Sequence, residues 1–148
     1  MTYKSQQNRI AFAGQISKAG ESLARATGEQ NVGTTPVVAG RFVALAAAGI
    51  KELSAVTDVL AGVVVRSPVQ DSYSPDEYLS VGKIGHGDGI WVELEGAAAR
   101  GDKVHVRAVA QAGKPAGKVL AAEVTDKTVP TDLYIINVAA GLAEIGRL

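Results

Sequence analysis

The side chains that could do chemistry are few. Glu93 and Glu95 lie two apart in Gly-Ile-Trp-Val-Glu-Leu-Glu, residues 89–95, and so share one face of a strand. Paired carboxylates can serve as acid and nucleophile in glycoside hydrolysis, but nothing nearby is suited to hold a sugar. A solvated strand face beside Trp91 is the simpler reading. The two histidines, His86 and His105, could join Asp88 or Asp102 in a metal site. Their spacing matches neither a helical nor a hairpin ligand set, and His105 alternates with Lys103 and Arg107 as on an exposed face. Gly85, Gly87 and Gly89 loosely resemble a phosphate-cradling loop, but a strand pattern follows where a dinucleotide fingerprint needs a helix. Arg100-Gly101-Asp102 spells an adhesion tripeptide within a turn. Asp126-Lys127 between two strand patterns resembles a lipoyl-carrier hairpin tip, yet only about twenty residues follow. There is no nucleophile elbow. Catalytic, cofactor-binding and metal-ligating residues are therefore all expected to be none, and the chain is not expected to be an enzyme.

Composition narrows the classes further. The 148 residues carry 15 basic and 15 acidic side chains, and no cysteine. A neutral chain lacks the basic surplus that drives phosphate binding, so neither nucleic acid nor an anionic membrane is expected as a partner. Without cysteine there can be no disulfide framework or thiolate metal site. No apolar run reaches the ~20 residues of a membrane span, and the N-terminus lacks the apolar stretch of a signal peptide. Synthesis in a host cytoplasm is expected. Aromatics make up only 5%, which argues against a deep small-molecule pocket.

The elements that would position these residues read as strands. Ile90, Val92 and Leu94 alternate with Trp91, Glu93 and Glu95, and Val104 and Val106 alternate with Lys103, His105 and Arg107. Alternation of period two marks sheets with unlike faces. Strand patterns also cover Val37–Ala46, Val59–Val65, Glu77–Ile84, Val119–Val124 and Leu133–Val138, with a terminal strand or tail over Ala139–Leu148. Gly85–Gly89 and Gly113–Gly117 are turn signals, and Ser67–Asp76 is a polar loop. One helical turn is expected at Gly96–Arg100. Short strands between turn signals predict an all-β fold, a small β-barrel or β-sandwich. Val59–Val65 and Leu133–Val138 are apolar on both faces, so a second layer or another subunit should cover them.

Residues 1–35 differ from the rest. They are polar and interrupted by glycines, with Ile16, Ala19 and Leu23 at the spacing of a short helix face. They are expected to form an extended N-terminal arm, ordered against a neighbour, ahead of a domain spanning 36–148. The expected interface residues are Tyr3, Arg9, Ile16 and Leu23 of the arm, and Trp91 on the sheet face opposite Ile90 and Val92.

Several segments in order resemble the structural cement, or head decoration, proteins of tailed bacteriophages. They are Val-Ala-Gly-Arg-Phe-Val (38–43), Leu-Ala-Gly-Val-Val-Val (60–65), Tyr-Ser-Pro-Asp-Glu-Tyr-Leu-Ser-Val (73–81), Gly-Ile-Trp-Val-Glu-Leu (89–94) and Ala-Ala-Ala-Arg-Gly-Asp-Lys-Val-His-Val (97–106), followed by the Val119–Val138 region. The resemblance implies a virion protein on the outer surface of the head. It would bind the major capsid protein, and itself as a dimer or trimer, clamping neighbouring subunits against the pressure of packaged DNA. It implies no catalytic residues and no cofactor. A second reading is a virion- or cell-surface adhesion module that binds through its Asp71–Glu77 loop. A third is a carrier domain modified at Lys127.

Overall fold

A computed structural model describes residues 11–19 and 27–147. Among them are thirteen strands and no helix. In chain order they are β1 (Ile16–Lys18), β2 (Thr27–Gln30), β3 (Val37–Val38), β4 (Phe42–Ala46), β5 (Gly49–Glu52), β6 (Leu60–Val64), β7 (Ser72–Tyr73), β8 (Tyr78–Gly82), β9 (Gly89–Glu93), β10 (Lys103–Arg107), β11 (Val119–Leu120), β12 (Thr128–Ala139) and β13 (Leu142–Gly146). The all-β expectation holds.

Two antiparallel sheets dominate. One runs β1-β9-β13-β12-β10-β11 and the other β2-β8-β6-β4-β5, with β3 and β7 forming a separate ribbon. Each large sheet curls until distant strands meet at a single point. Leu94, just past β9, bridges Val119 of β11 in parallel, and the Glu95 N–H donates to the Val119 carbonyl at 2.8 Å. Asn31, just past β2, bridges Ile50 of β5, and the Val32 N–H donates to the Ile50 carbonyl at 2.9 Å. Neither meeting is a ladder, so both sheets are barrel-like without being closed.

The strand pattern explains the two cores. In β4, Phe42 and Ala44 join a large core with Ile90, Val92, Val104, Val106, Ile135 and Ile145, while Val43 joins a second core with Ile50, Val64, Leu79 and Val81. In β6, Val63 faces the first core and Val64 the second. A strand between two cores is apolar on both faces. From Ala61 to Val64 the run is thus covered within the chain, whereas Val59 at its start stays exposed. The β12 run behaves differently: Leu133 and Ile135 are buried, Tyr134 and Ile136 are half-buried, and Val138 is exposed.

Two glycines sew the sheets together. The Gly14 N–H donates to the Trp91 carbonyl at 2.7 Å, and its own carbonyl accepts from the Arg66 N–H at 2.9 Å. The Gly40 N–H donates to the Val64 carbonyl, and its carbonyl accepts from the Glu93 N–H, both at 2.9 Å. Their φ angles are +80° and +82°. A Cβ at Gly40 would lie 2.5 Å from the Ala13 Cβ, so only glycine fits the approach.

Several expectations are corrected. Gly96–Arg100 forms no helical turn: Gly96 has φ +77°, and the Asp102 carboxylate takes the Ala99 N–H at 2.8 Å, which stabilises a turn instead. The Val119–Val124 strand stops at Leu120, because Val124 is held in a turn with Thr128. Ile16–Lys18 is a strand, not part of a helix, and Ile16 pairs with Ile90. The Ser67–Asp76 loop contains β7, which pairs with β3. The described parts of the 1–35 segment are built into the sheets through β1 and β2. Asn31 is fully buried, its Nδ2 donating to the carbonyls of Thr35 and Tyr73 at 3.0 Å each.

Candidate functional site

The outer face of the six-stranded sheet carries the residues singled out by type and spacing. Alternation along β9 turns Ile90 and Val92 to the core and Trp91 and Glu93 outward. Trp91 is half-buried and stands in register with Glu144 of β13. Its backbone N–H donates to the Gln15 carbonyl at 2.9 Å, which ties β9 to the segment leading into β1. Glu144 is buried and bonded on both sides. Its Oε2 accepts from the Ser17 hydroxyl, and its Oε1 accepts from Asn137 Nδ2 at 2.6 Å. Ser17 reaches across β9 because Gly89 has no side chain; a Cβ there would lie 2.6 Å from Ser17 Oγ. One carboxylate thus links β1, β13 and β12.

The two carboxylates read as a possible catalytic pair are separately engaged. Glu93 is ion-paired with Arg41 and lies 3.9 Å from Lys118 Nζ. Glu95 is held by Arg107, through Nε at 2.6 Å and Nη2 at 2.7 Å. Arg107 is not on an exposed face as expected: it is 1% exposed, and its Nη1 also donates to the Val109 carbonyl and Gln111 Oε1. The Glu95 hydrogen bonds raise the Arg107 pKa above its ordinary value, against the effect of burial. This is architecture for holding a sheet margin.

The histidines are kept apart by the fold. His86 is exposed in the turn before β9, whereas His105 lies in β10 opposite Leu120 and Pro130. Among the described residues no group of three or more acidic or histidine side chains is placed to hold a metal. The Gly85–Gly89 turn is closed by Asp88, whose Oδ2 accepts from the Gly85 N–H at 2.8 Å. Asp102 of the Arg-Gly-Asp tripeptide is spent on its own turn. Lys127 lies half-buried in a turn, and its carbonyl accepts from the N–H groups of Ala108 and Val109.

Of the expected interface residues, Tyr3, Arg9 and Leu23 lie outside the described residues. Ile16 packs against the large core and Trp91 is half-buried, so the structure brings these two to adjacent strands. The apolar side chains most open to solvent are elsewhere. Val69 is 92% exposed at the tip of the 67–71 loop, Tyr78 is 75% exposed on β8, and Val59 is 62% exposed before β6. Phe12, which lies under the Arg66 guanidinium at 4.9 Å, Leu45 and Val138 are also exposed. The alternation of Tyr78 with Leu79 and Val81 was sufficient to place it outward. The loop position of Val69 after Pro68 was a weaker sign.

Three comparisons with known proteins bear on this arrangement. A family model described as "XM1 gp53 minor capsid protein" matches residues 1–146. A chain in the solved structure "The capsid of Myoviridae Phage XM1" superposes with a TM-score of 0.73 at 20% identity, covering 94% of this chain and 92% of that one. No curated protein sequence matches. At that identity the superposition shows a shared fold, and the family model adds a sequence match over nearly the whole length. The chain therefore belongs to the XM1 gp53 minor capsid protein family and is a structural, capsid-associated protein of a tailed phage.

Proposed function

We propose that this minor capsid protein is a decoration, or cement, protein. It binds the outer surface of the assembled head, clamps neighbouring major capsid subunits, and associates with itself as a dimer or trimer. The observation that carries this reading is the distribution of exposed apolar side chains. The chain builds two complete cores of its own, yet Val69, Tyr78, Val59, Leu45 and Val138 stay open on separate elements. A clamp needs contact points on more than one side, and many modest contacts repeated over a lattice add through avidity. The residues before Phe12 serve in this reading as a further contact.

The adhesion reading draws less support. Its Asp71–Glu77 loop pairs with β3, buries Tyr73, and ties Glu77 to Gln70 and to the Ser74 N–H.

Cosedimentation with purified expanded shells that lack the protein tests the cement reading. Truncation belongs at residue 10, because β1 and β2 are parts of the two sheets. The full chain should pellet with shells saturably, and removing residues 1–10 should weaken this. Absence of the full chain from the shell pellet would overturn the reading.

A further inference from the structure

A cavity of about 350 Å³ opens at one end of the six-stranded sheet. Ile136 supplies its apolar side chain, Ile135 having its own turned into the core, and three cations surround the cavity: Lys18, Arg100 and Arg147. Each is held by a different element. Lys18 is paired with Gly89 at the end of β1. Arg100 is fixed by its turn, where Gly101 has φ +95° and donates its N–H to the Ile135 carbonyl at 2.8 Å. Arg147 follows β13 and donates from Nε to the Ile84 carbonyl at 3.2 Å.

One of the three cations has an acid partner among the described residues. Arg147 is paired with Asp132, and Asp88 is the one acid in the cavity wall. Asp88 is 2% exposed; its Oδ2 is taken by the Gly85 N–H and its Oδ1 is buried without a donor. Neither Lys18 nor Arg100 has an acid within ion-pair distance among the described residues.

We propose that this cavity receives one glutamate side chain of a neighbouring capsid protein. The carboxylate would bind Lys18 and Arg100, with Arg147 behind them, and the methylenes would lie on Ile136. A guanidinium is suited to a planar carboxylate, and the Ile136 side chain favours a carboxylate on an aliphatic stem. Two cations without an ion-pair partner suit a carboxylate. The Asp88 carboxylate in the wall disfavours a dianion such as phosphate. The identity of the partner rests on the capsid-associated reading, whereas the affinity of the cavity for a carboxylate does not.

The test is an NMR titration of the full chain with acetyl-Ala-Glu-Ala-amide and with its Gln counterpart. The Glu peptide should shift the amides of Gly87, Gly101 and Ile136 saturably, with a dissociation constant of about 1 mM. The Gln peptide should not, and Arg100→Gln should weaken the response several-fold. No saturable shift, or equal shifts from both peptides, would overturn the site. In a shell-binding assay Arg100→Glu should lower affinity about tenfold or more. Unchanged shell binding beside an intact wild-type peptide response would overturn the partner alone.

Discussion

The guanidinium of Arg107 meets the carboxylate of Glu95 as a two-pronged pair, Nε to Oε1 at 2.6 Å and Nη2 to Oε2 at 2.7 Å. Arg107 ends β10, Glu95 follows β9, and the pair lies beside the point where β9 and β11 meet. Removing one partner of a buried pair leaves the other charge uncompensated. Arg107→Met should therefore destabilise the fold by about 3 kcal/mol. Arg107→Lys keeps the charge but loses the fork, and should cost about 1–2 kcal/mol. Urea unfolding of the three proteins checks the order.

The glycine junction gives a sharper contrast. Gly40 and Gly113 both have left-handed φ angles, +82° and +73°. A Cβ at Gly40 would meet Ala13, while a Cβ at Gly113 would meet nothing within 4 Å. Gly113→Ala should cost about 1 kcal/mol for backbone strain alone. Gly40→Ala should cost about 3 kcal/mol or more, since strain and overpacking add. Equal losses in thermal unfolding would mean that the junction is not tight.

Acid should act through the turn before β6. The Asp58 Oδ2 accepts from the N–H groups of Ser54 at 3.0 Å and Ala55 at 3.1 Å, and Lys51 Nζ lies 3.8 Å from its other oxygen. The Ser54 backbone hydrogen bond is the main cause of a pKa below the ordinary 3.8, with Ala55 and Lys51 adding to it. Because the folded value is the lower one, the stabilisation is present above the unfolded value of about 4. It is lost as pH falls through the folded value. Unfolding midpoints measured between about pH 2 and 6 should fall at the acid end, and Asp58→Asn should flatten that limb. An identical acid limb in the variant would refute the assignment.

Trp91 and Glu93 share the outer face of β9 and separate two roles. Glu93 joins Arg41 and Lys118 in partly exposed ion pairs, so Glu93→Ala should cost under about 1 kcal/mol in stability. Trp91→Ala should weaken shell binding more than Glu93→Ala does, because a large half-open aromatic offers more contact. Equal shell binding by the two variants would return Trp91 to ordinary packing.

Much of the fold was legible in short-range pattern. The alternations at Ile90-Val92-Leu94 and Leu79-Val81, and the turns at Gly85–Gly89 and Gly113–Gly117, gave β8, β9, the turn between them and the turn between β10 and β11 directly. What the pattern concealed was non-local. β1 is three residues long and exists through backbone bonds to β9, some 75 residues away in sequence. Arg107 falls on the polar side of the alternation, and its burial depends on Glu95 arriving from another strand. The two-faced run at Val59–Val65 signalled a double covering that holds from Ala61 to Val64 but not at exposed Val59, and the cover is a second core of the same chain. Exposed Tyr78 was readable from its neighbours, whereas the basic cavity combines residues from five separate stretches that share no motif.

The central claim is that the protein clamps major capsid subunits from outside the head. An electron cryomicroscopy map of the particle, with and without this protein, tests it most directly. The account predicts density on the outer surface, fitted by the two curled sheets and touching at least two major capsid subunits. Density inside the shell, or on the outside touching a single subunit only, would contradict it.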